Sequence, residues 1–305
     1  VLISGEQLFH YGTVTVEPEA LLRVGGSSGS WLGEDGDFAL AMGVALPFAY
    51  FLIWSNIRPV IRVLCGIAAL MFVISVVATG SRGGAVGMAM VLFVLILRSR
   101  QRLVAASVIV GFILVALALA PPEYLQRMST IVAPRDRDLS AQSRMLSWRA
   151  AKQMFIDRPF VGVGAGNFLT AFVREYGGAY SWSRTTHNVF YQAASELGLC
   201  GILSFLLLLG LAFWRSIVLN ARLVSAGLGA GPIAAFTAAL FPSTMGYLTS
   251  GSFQTPLYYP HLFIIAALAV ALNNIGKSIL PEEVEAVSRW RVREKTWRKF
   301  ARTSR

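Results

Sequence analysis

Charge is scarce in this chain. Only 14% of its 305 residues are Asp, Glu, Lys or Arg, against about 25% in an ordinary soluble domain. Cysteine is scarcer still. Cys65 and Cys200 both lie in apolar runs, so neither a disulfide framework, a zinc site nor a redox motif can be argued from them. No run of carboxylates or histidines has the spacing of metal ligands, and neither a metal nor another cofactor is expected. A basic-then-apolar export signal is also missing, and the first residue is Val1 rather than Met. The chain is therefore expected to lack an N-terminal portion that carries further membrane spans.

Apolar residues are what the chain has in excess, at 55%. They gather into segments at 38–55, 60–79, 83–97, 103–120, 189–214, 226–249 and 257–273. A helix needs about 20 apolar residues, with a range of about 17–25, to cross the hydrocarbon. The third and seventh segments are short by that measure. The expected fold is an all-α polytopic membrane protein with about seven transmembrane helices and one large loop. The division is an irregular segment over 1–36, a transmembrane domain over 37–275 that includes the loop 121–188, and a basic tail over 276–305.

Lys and Arg in short connections orient such a protein, because they stay cytoplasmic. Arg58 and Arg62 follow the first segment, Arg98, Arg100 and Arg102 the third, Arg215 and Arg222 the fifth, and the basic tail the seventh. With seven alternating spans all four clusters share one side, the cytoplasmic one. The net charge of +11 is thereby assigned to topology and anionic lipid, and no nucleic-acid partner is expected. The tail stretch WRVREKTWRKF reads as an interfacial amphipathic segment. The opposite side then holds 1–36, the 80–82 turn, the loop 121–188 and the 250–256 turn.

The long loop is basic too. Arg127, Arg135, Arg137, Arg144, Arg149, Lys152, Arg158, Arg174 and Arg184 face few acids there. Long loops are largely exempt from the charge rule, so an anionic ligand is one reason for this charge and a solvated surface is the other. Within the loop, Ala141 to Ile156 reads as a helix that Pro159 prevents from continuing. Arg144, Trp148 and Lys152 are spaced by four on it and share a face. The glycines of VGVGAGNF have the wrong spacing for a dinucleotide fingerprint and read as a tight turn at the membrane surface. Thr185 and Thr186 can cap a helix that begins at His187 and becomes the fifth span.

Three side chains could carry chemistry if this topology holds: Arg82 at the outer mouth of the third segment, Arg144 on the loop helix, and His187 at the outer mouth of the fifth. Arginine grips phosphate with a planar fork that never loses its proton. A histidine at a helix start tends to stay neutral and can accept a proton. Two anion holders and one base are what transfer from a lipid diphosphate to a hydroxyl requires. Taken singly, each has a plainer reading: a boundary anchor, a solvated helix residue, a surface histidine. Glu196 lies about 13 Å along the helix from His187, and a carboxylate at that depth should be paired or functional. It reads equally as a site residue and as a structural hydrogen bonder. Tyr258, Tyr259 and His261 fit an interfacial belt.

Several stretches resemble the O-antigen ligase and polymerase superfamily of bacterial envelope glycosyltransferases. They are TGSRGGAVGMAMVL after a span, SRMLSWRAAKQMFIDRPFVGVGAGNF in the loop, and THNVFYQAASELGLCGIL leading into a span. GEDGDFALAMGVALP resembles the branch linked to exosortase-type export systems, an O-glycosylation ligase type, although Gly36 stands where that branch usually has a polar residue. The resemblance covers roughly 30–275. It implies an architecture of the C-type glycosyltransferase kind in the bacterial inner membrane, with a periplasmic active face and no metal. It implies an undecaprenyl diphosphate-linked glycan as donor and a glycan, lipid or protein as acceptor. Arg82 and Arg144 match the family's diphosphate-gripping arginines, the second in an R-x-x-x-W pattern that makes Trp148 a supporting residue. His187 matches its base toward the acceptor hydroxyl, with Asn188 and Glu196 in supporting places. The family usually has more spans than the seven expected here.

The reading is thus an inverting, metal-independent glycosyltransferase of the O-antigen ligase or O-glycosylation ligase type. The alternatives are a polymerase of lipid-linked glycans, a non-enzymatic transporter of them, and a membrane scaffold for an export assembly. Ligase and polymerase share these motifs, so the sequence leaves the acceptor and the sugar open.

Overall fold

The computed structural model describes residues 32–99, 101–118, 139–176 and 185–280. Among them every regular element is helical. α1 runs Asp35–Ile53, α2 Pro59–Thr79, α3 Arg82–Arg98 and α4 Arg102–Ala118. α5 covers Leu139–Asp157, and α6, Phe168–Ala171, continues into a π-turn at Phe172–Tyr176. α7 spans Val189–Ser225, α8 Pro232–Gly251 and α9 Pro260–Ile279. Helices stand at all seven expected apolar segments, and the chain is an all-α membrane protein. Most of the expected tail, the segment 1–31, the loop portions 119–138 and 177–184, and Arg100 lie outside the described residues.

Among the described residues, four helices are long and apolar enough to cross a membrane: α1, α2, α7 and α9. α3 and α4 have 17 residues each, at the lower edge of what spans. α8 has 20 residues but carries Thr, Ser and Gly throughout, which lowers its apolarity. The helices depart from the expected segments in two places. The sixth and seventh begin at Pro232 and Pro260, since proline suits the first helical position, where its missing N–H is unpaired anyway and its fixed φ is helical. The fifth continues to Ser225, so Arg215 and Arg222 are helical residues and not part of a connection. The part of this helix that runs from Leu199, after the non-helical Gly198, to Ser225 rises about 40 Å against a hydrocarbon core of about 30 Å. Its basic end therefore extends past the apolar zone.

α1 and α8 form the centre. Leu40 and Val44 of α1 and Leu240 and Tyr247 of α8 join Val189, Leu209 and Leu223 of α7 and Leu262, Ile265 and Leu272 of α9 in one core. A second core packs Leu46 and Tyr50 of α1 against Ala69, Val73 and Val76 of α2 and Met88, Val91 and Leu95 of α3. Lipid tails are as apolar as leucine, so close backbone approach and polar bonds do much of the joining. Ser243 Oγ donates to Val44 O at 2.8 Å, a buried tie between α8 and α1. A Cβ at Gly87 would stand 2.0 Å from Ser250 Oγ, so only glycine lets α3 lie this close to α8. The outer faces of α2 and α4 stay apolar and exposed, with Val63, Leu64, Leu103 and Val110 among them, as lipid contact requires.

Candidate active site

The sequence TGSRGG makes a tight corner between two helices. Gly80, at φ 61°, closes the end of α2 in the left-handed region. Ser81 then caps α3 by accepting from Gly84 N at 3.2 Å. Arg82 is thereby fixed as the first residue of α3, half-buried. Its neighbour Gly83 lies against the segment between α8 and α9. A Cβ there would stand 2.6 Å from Phe253 Cβ, and Ser250 Oγ donates to Gly83 O at 3.4 Å.

The start of α7 meets the same segment from the other side. Asn188 Nδ2 donates to Ser252 O at 3.0 Å, and the Thr255 and Thr185 hydroxyls are 3.4 Å apart. The cap of α7 is Asn188, whose side-chain oxygen accepts from Phe190 N at 2.9 Å and Tyr191 N at 3.1 Å. The expectation that Thr185 or Thr186 caps a helix beginning at His187 is corrected. An asparagine presents its carbonyl to the second and third N–H groups of the helix, which leaves His187 outside it. His187 has φ 44° and is the one non-glycine residue with positive φ among the described residues. Strain of this kind persists only where the surroundings enforce it, and it clusters at functional sites.

α5 lies along this start of α7. Trp148 Nε1 donates to Thr186 O at 2.8 Å, and the indole stacks on Tyr191 with centroids 5.5 Å apart and planes 9° apart. Arg144 is half-buried one turn before Trp148 on the same face. Lys152, expected on that face too, is exposed, since eight residues along a helix of period 3.6 have turned about 80° away. The three expected site residues thus sit on segments gathered at one end of the bundle. Arg82 borders the 250–256 segment through Gly83, His187 borders it through Asn188, and Arg144 borders His187 through Trp148.

The glycine-rich loop does more than turn. α7 breaks at Gly198, which has φ 64° and ψ −160°, and the loop 159–164 fills the break. Leu199 N donates to Pro159 O at 2.7 Å and Cys200 N to Phe160 O at 3.3 Å. In return Val163 N donates to Ser195 O and Gly164 N to Glu196 O, both at 2.9 Å. The four backbone groups orphaned by the break are thus satisfied by a second strand of chain, as an apolar setting demands. Gly162 has φ 65° and its added Cβ would stand 2.5 Å from Glu196 C, so no other residue fits there.

Glu196 locks this junction. It is buried, and it accepts from Gly166 N and Phe168 N at 3.1 Å each and from the Tyr258 hydroxyl at 2.6 Å. Of its two expected readings, these bonds describe the structural one. Burial pushes the Tyr258 hydroxyl above the ordinary tyrosine range, and the bond to Glu196 adds to it. Tyr259 donates to Asp37 Oδ2 at 3.0 Å, and burial raises its hydroxyl likewise. His261 is buried. Tyr258 stays 41% exposed and Tyr259 half-buried while their hydroxyls meet Glu196 and Asp37. Buried carboxylates seek such donors.

Sequence reasoning put the 250–256 turn on this side of the bundle but missed that it touches both Gly83 and Asn188, and with that it missed Gln254. This glutamine is buried, and neither of its side-chain polar atoms has a hydrogen-bond partner. It also missed the Asp37–Tyr259 pair. The rule applied to Glu196, that a carboxylate in an apolar run needs a partner, applies equally to Asp37.

Residues 66–206 match the Wzy_C family model, O-antigen ligase. This stretch belongs to the O-antigen ligase and polymerase superfamily. Among curated proteins, none matches the chain. Arg82, Arg144, His187, Asn188 and Glu196 all fall inside the matched stretch, as do both partners of the break at Gly198. The match to the O-antigen ligase model supports glycosyl transfer of the ligase or polymerase type, with a lipid-linked glycan and an acceptor as partners.

Proposed function

We propose that this O-antigen ligase-type chain moves a glycan from an undecaprenyl diphosphate carrier to an acceptor hydroxyl at the periplasmic face of the inner membrane. The observation that carries the reading is the gathering of the Arg82, His187 and Arg144 segments at the end of the bundle opposite its basic connections. His187 removes the proton of the acceptor hydroxyl, whose oxygen attacks the anomeric carbon. A new carbon–oxygen bond forms there, and the bond to the diphosphate breaks from the opposite side, which inverts the centre. Undecaprenyl diphosphate leaves with the bonding electron pair. The guanidinium forks of Arg82 and Arg144 stabilise the charge it gains, the part that a metal plays elsewhere. Trp148 and Asn188 hold the histidine segment in place, and Glu196 holds the loop that braces α7.

Alanine replacement of Arg82, Arg144 or His187, with glycan transfer assayed in membranes, tests this. Loss of transfer in each at normal protein level is the expected result; full transfer in all three overturns the mechanism. A polymerase would run the same steps with the growing glycan as acceptor, and the covalent product tells the two apart.

A further inference from the structure

A cavity of about 580 Å³ lies at the other end of the helices, remote from the residues described above. It is walled by the end of α1, the end of α3, the last turns of α7 and the start of α8, with Tyr50, Trp54, Ser55, Arg98, Gln101 and Asn220 among its lining. We propose that this cavity binds the phosphodiester headgroup of an anionic glycerophospholipid, with the acyl chains lying against the apolar flank outside it.

The charge of the walls points to an anion. Arg98 contributes a guanidinium, and Arg62 Nη2 donates to Ser55 O at 3.2 Å on the wall, which adds a second basic group at the rim. The described carboxylates are Glu34, Asp35, Asp37, Asp157, Glu175 and Glu196, and none of them lines the cavity. Arg98 stacks its guanidinium over Phe241, 5.2 Å from the ring centroid. A ring face balances the charge but accepts no N–H bond in the plane of the fork. A phosphate would supply such acceptors in pairs. Asn220 is held by its Nδ2, which donates to Ala234 O at 3.2 Å, so the polar wall is fixed in place.

The apolar side of the mouth points to a lipid rather than a free ion. Trp54 and Val224 line the cavity and are also 54% and 42% exposed. They present an apolar and aromatic rim where acyl chains leave the headgroup. The end concerned is the one that the basic connections assign to the cytoplasm, where anionic lipid gives the leaflet its negative potential. Basic pockets between transmembrane helices at that surface suit such headgroups. This inference does not rest on the glycosyl-transfer reading.

The full chain in neutral detergent, unfolded thermally with added phosphatidylglycerol, phosphatidylcholine or inorganic phosphate, provides the test. Basic residues elsewhere attract anionic lipid in general, so the readout is the difference between the wild type and Arg98→Gln. The expected result is a rise in melting temperature with phosphatidylglycerol alone, and a need for about fivefold more of that lipid in Arg98→Gln, the loss for one basic group facing an anionic surface. Ala230→Trp narrows the cavity without touching the arginine and decides the matter if Arg98→Gln fails to fold; it should weaken the response similarly. Equal responses in wild type and variants, an equal response to phosphatidylcholine, or full replacement of the lipid by inorganic phosphate would each overturn the proposal.

Discussion

The indole N–H of Trp148 reaches the carbonyl of Thr186 at 2.8 Å, across 38 residues of sequence. That bond fixes α5, which carries Arg144, to the residue before His187. The arginine and the histidine are therefore positioned together by a residue that need not touch substrate.

Trp148→Phe keeps a ring to stack on Tyr191 and loses the donor. The Thr186 carbonyl loses its indole partner, at a cost of about 1–3 kcal/mol in stability. Transfer should fall by more than this loss of folded protein explains. Thermal unfolding and glycan transfer measured on the same preparations check the split.

Gly198 joins a break in α7 to the loop 159–164. An added Cβ would stand 2.4 Å from Phe160 C, at a φ of 64° that costs a non-glycine residue about 1–2 kcal/mol even in open space. Gly198→Ala should destabilise by more than that figure and detach the loop. Faster proteolysis within 159–166 and a lower melting temperature are the expected readings, whereas Gly210→Ala, where nothing lies within 4 Å, should show neither.

His187 separates backbone strain from side-chain chemistry. Its φ of 44° suits glycine better than any β-carbon residue. His187→Gly should be more stable than His187→Ala by about 1 kcal/mol, and both should lose transfer. Recovery of transfer in the glycine variant would assign the residue to backbone shape instead of proton transfer.

Tyr258 gives the pH dependence a sign. The fold holds its hydroxyl protonated above the ordinary range, so the folded state keeps a proton that the unfolded chain releases near pH 10. The stability it contributes is complete below that pH and is lost as pH rises toward the folded value. Melting temperature should therefore fall more steeply above pH 10 in the wild type than in Tyr258→Phe, which starts lower because the bond to Glu196 is gone.

Sequence alone determined the helical, membrane-embedded class, because apolar runs of span length in a charge-poor chain have no other stable form. It also singled out Arg82, Arg144 and His187 and the loop helix that ends before Pro159, since phosphate-binding side chains and proline act locally. Tertiary structure decided what depends on partners far along the chain. The break at Gly198 shows only when Pro159 and Phe160 supply the missing bonds. Glu196 becomes a structural lock only when Gly166, Phe168 and Tyr258 reach it. Thr186 yields the cap to Asn188, whose amide also ties to Ser252, while the Thr186 hydroxyl donates to the Asn188 carbonyl. The reason is physical: a buried polar group takes whichever partner the packed helices bring within about 3 Å, and periodicity carries no record of that choice.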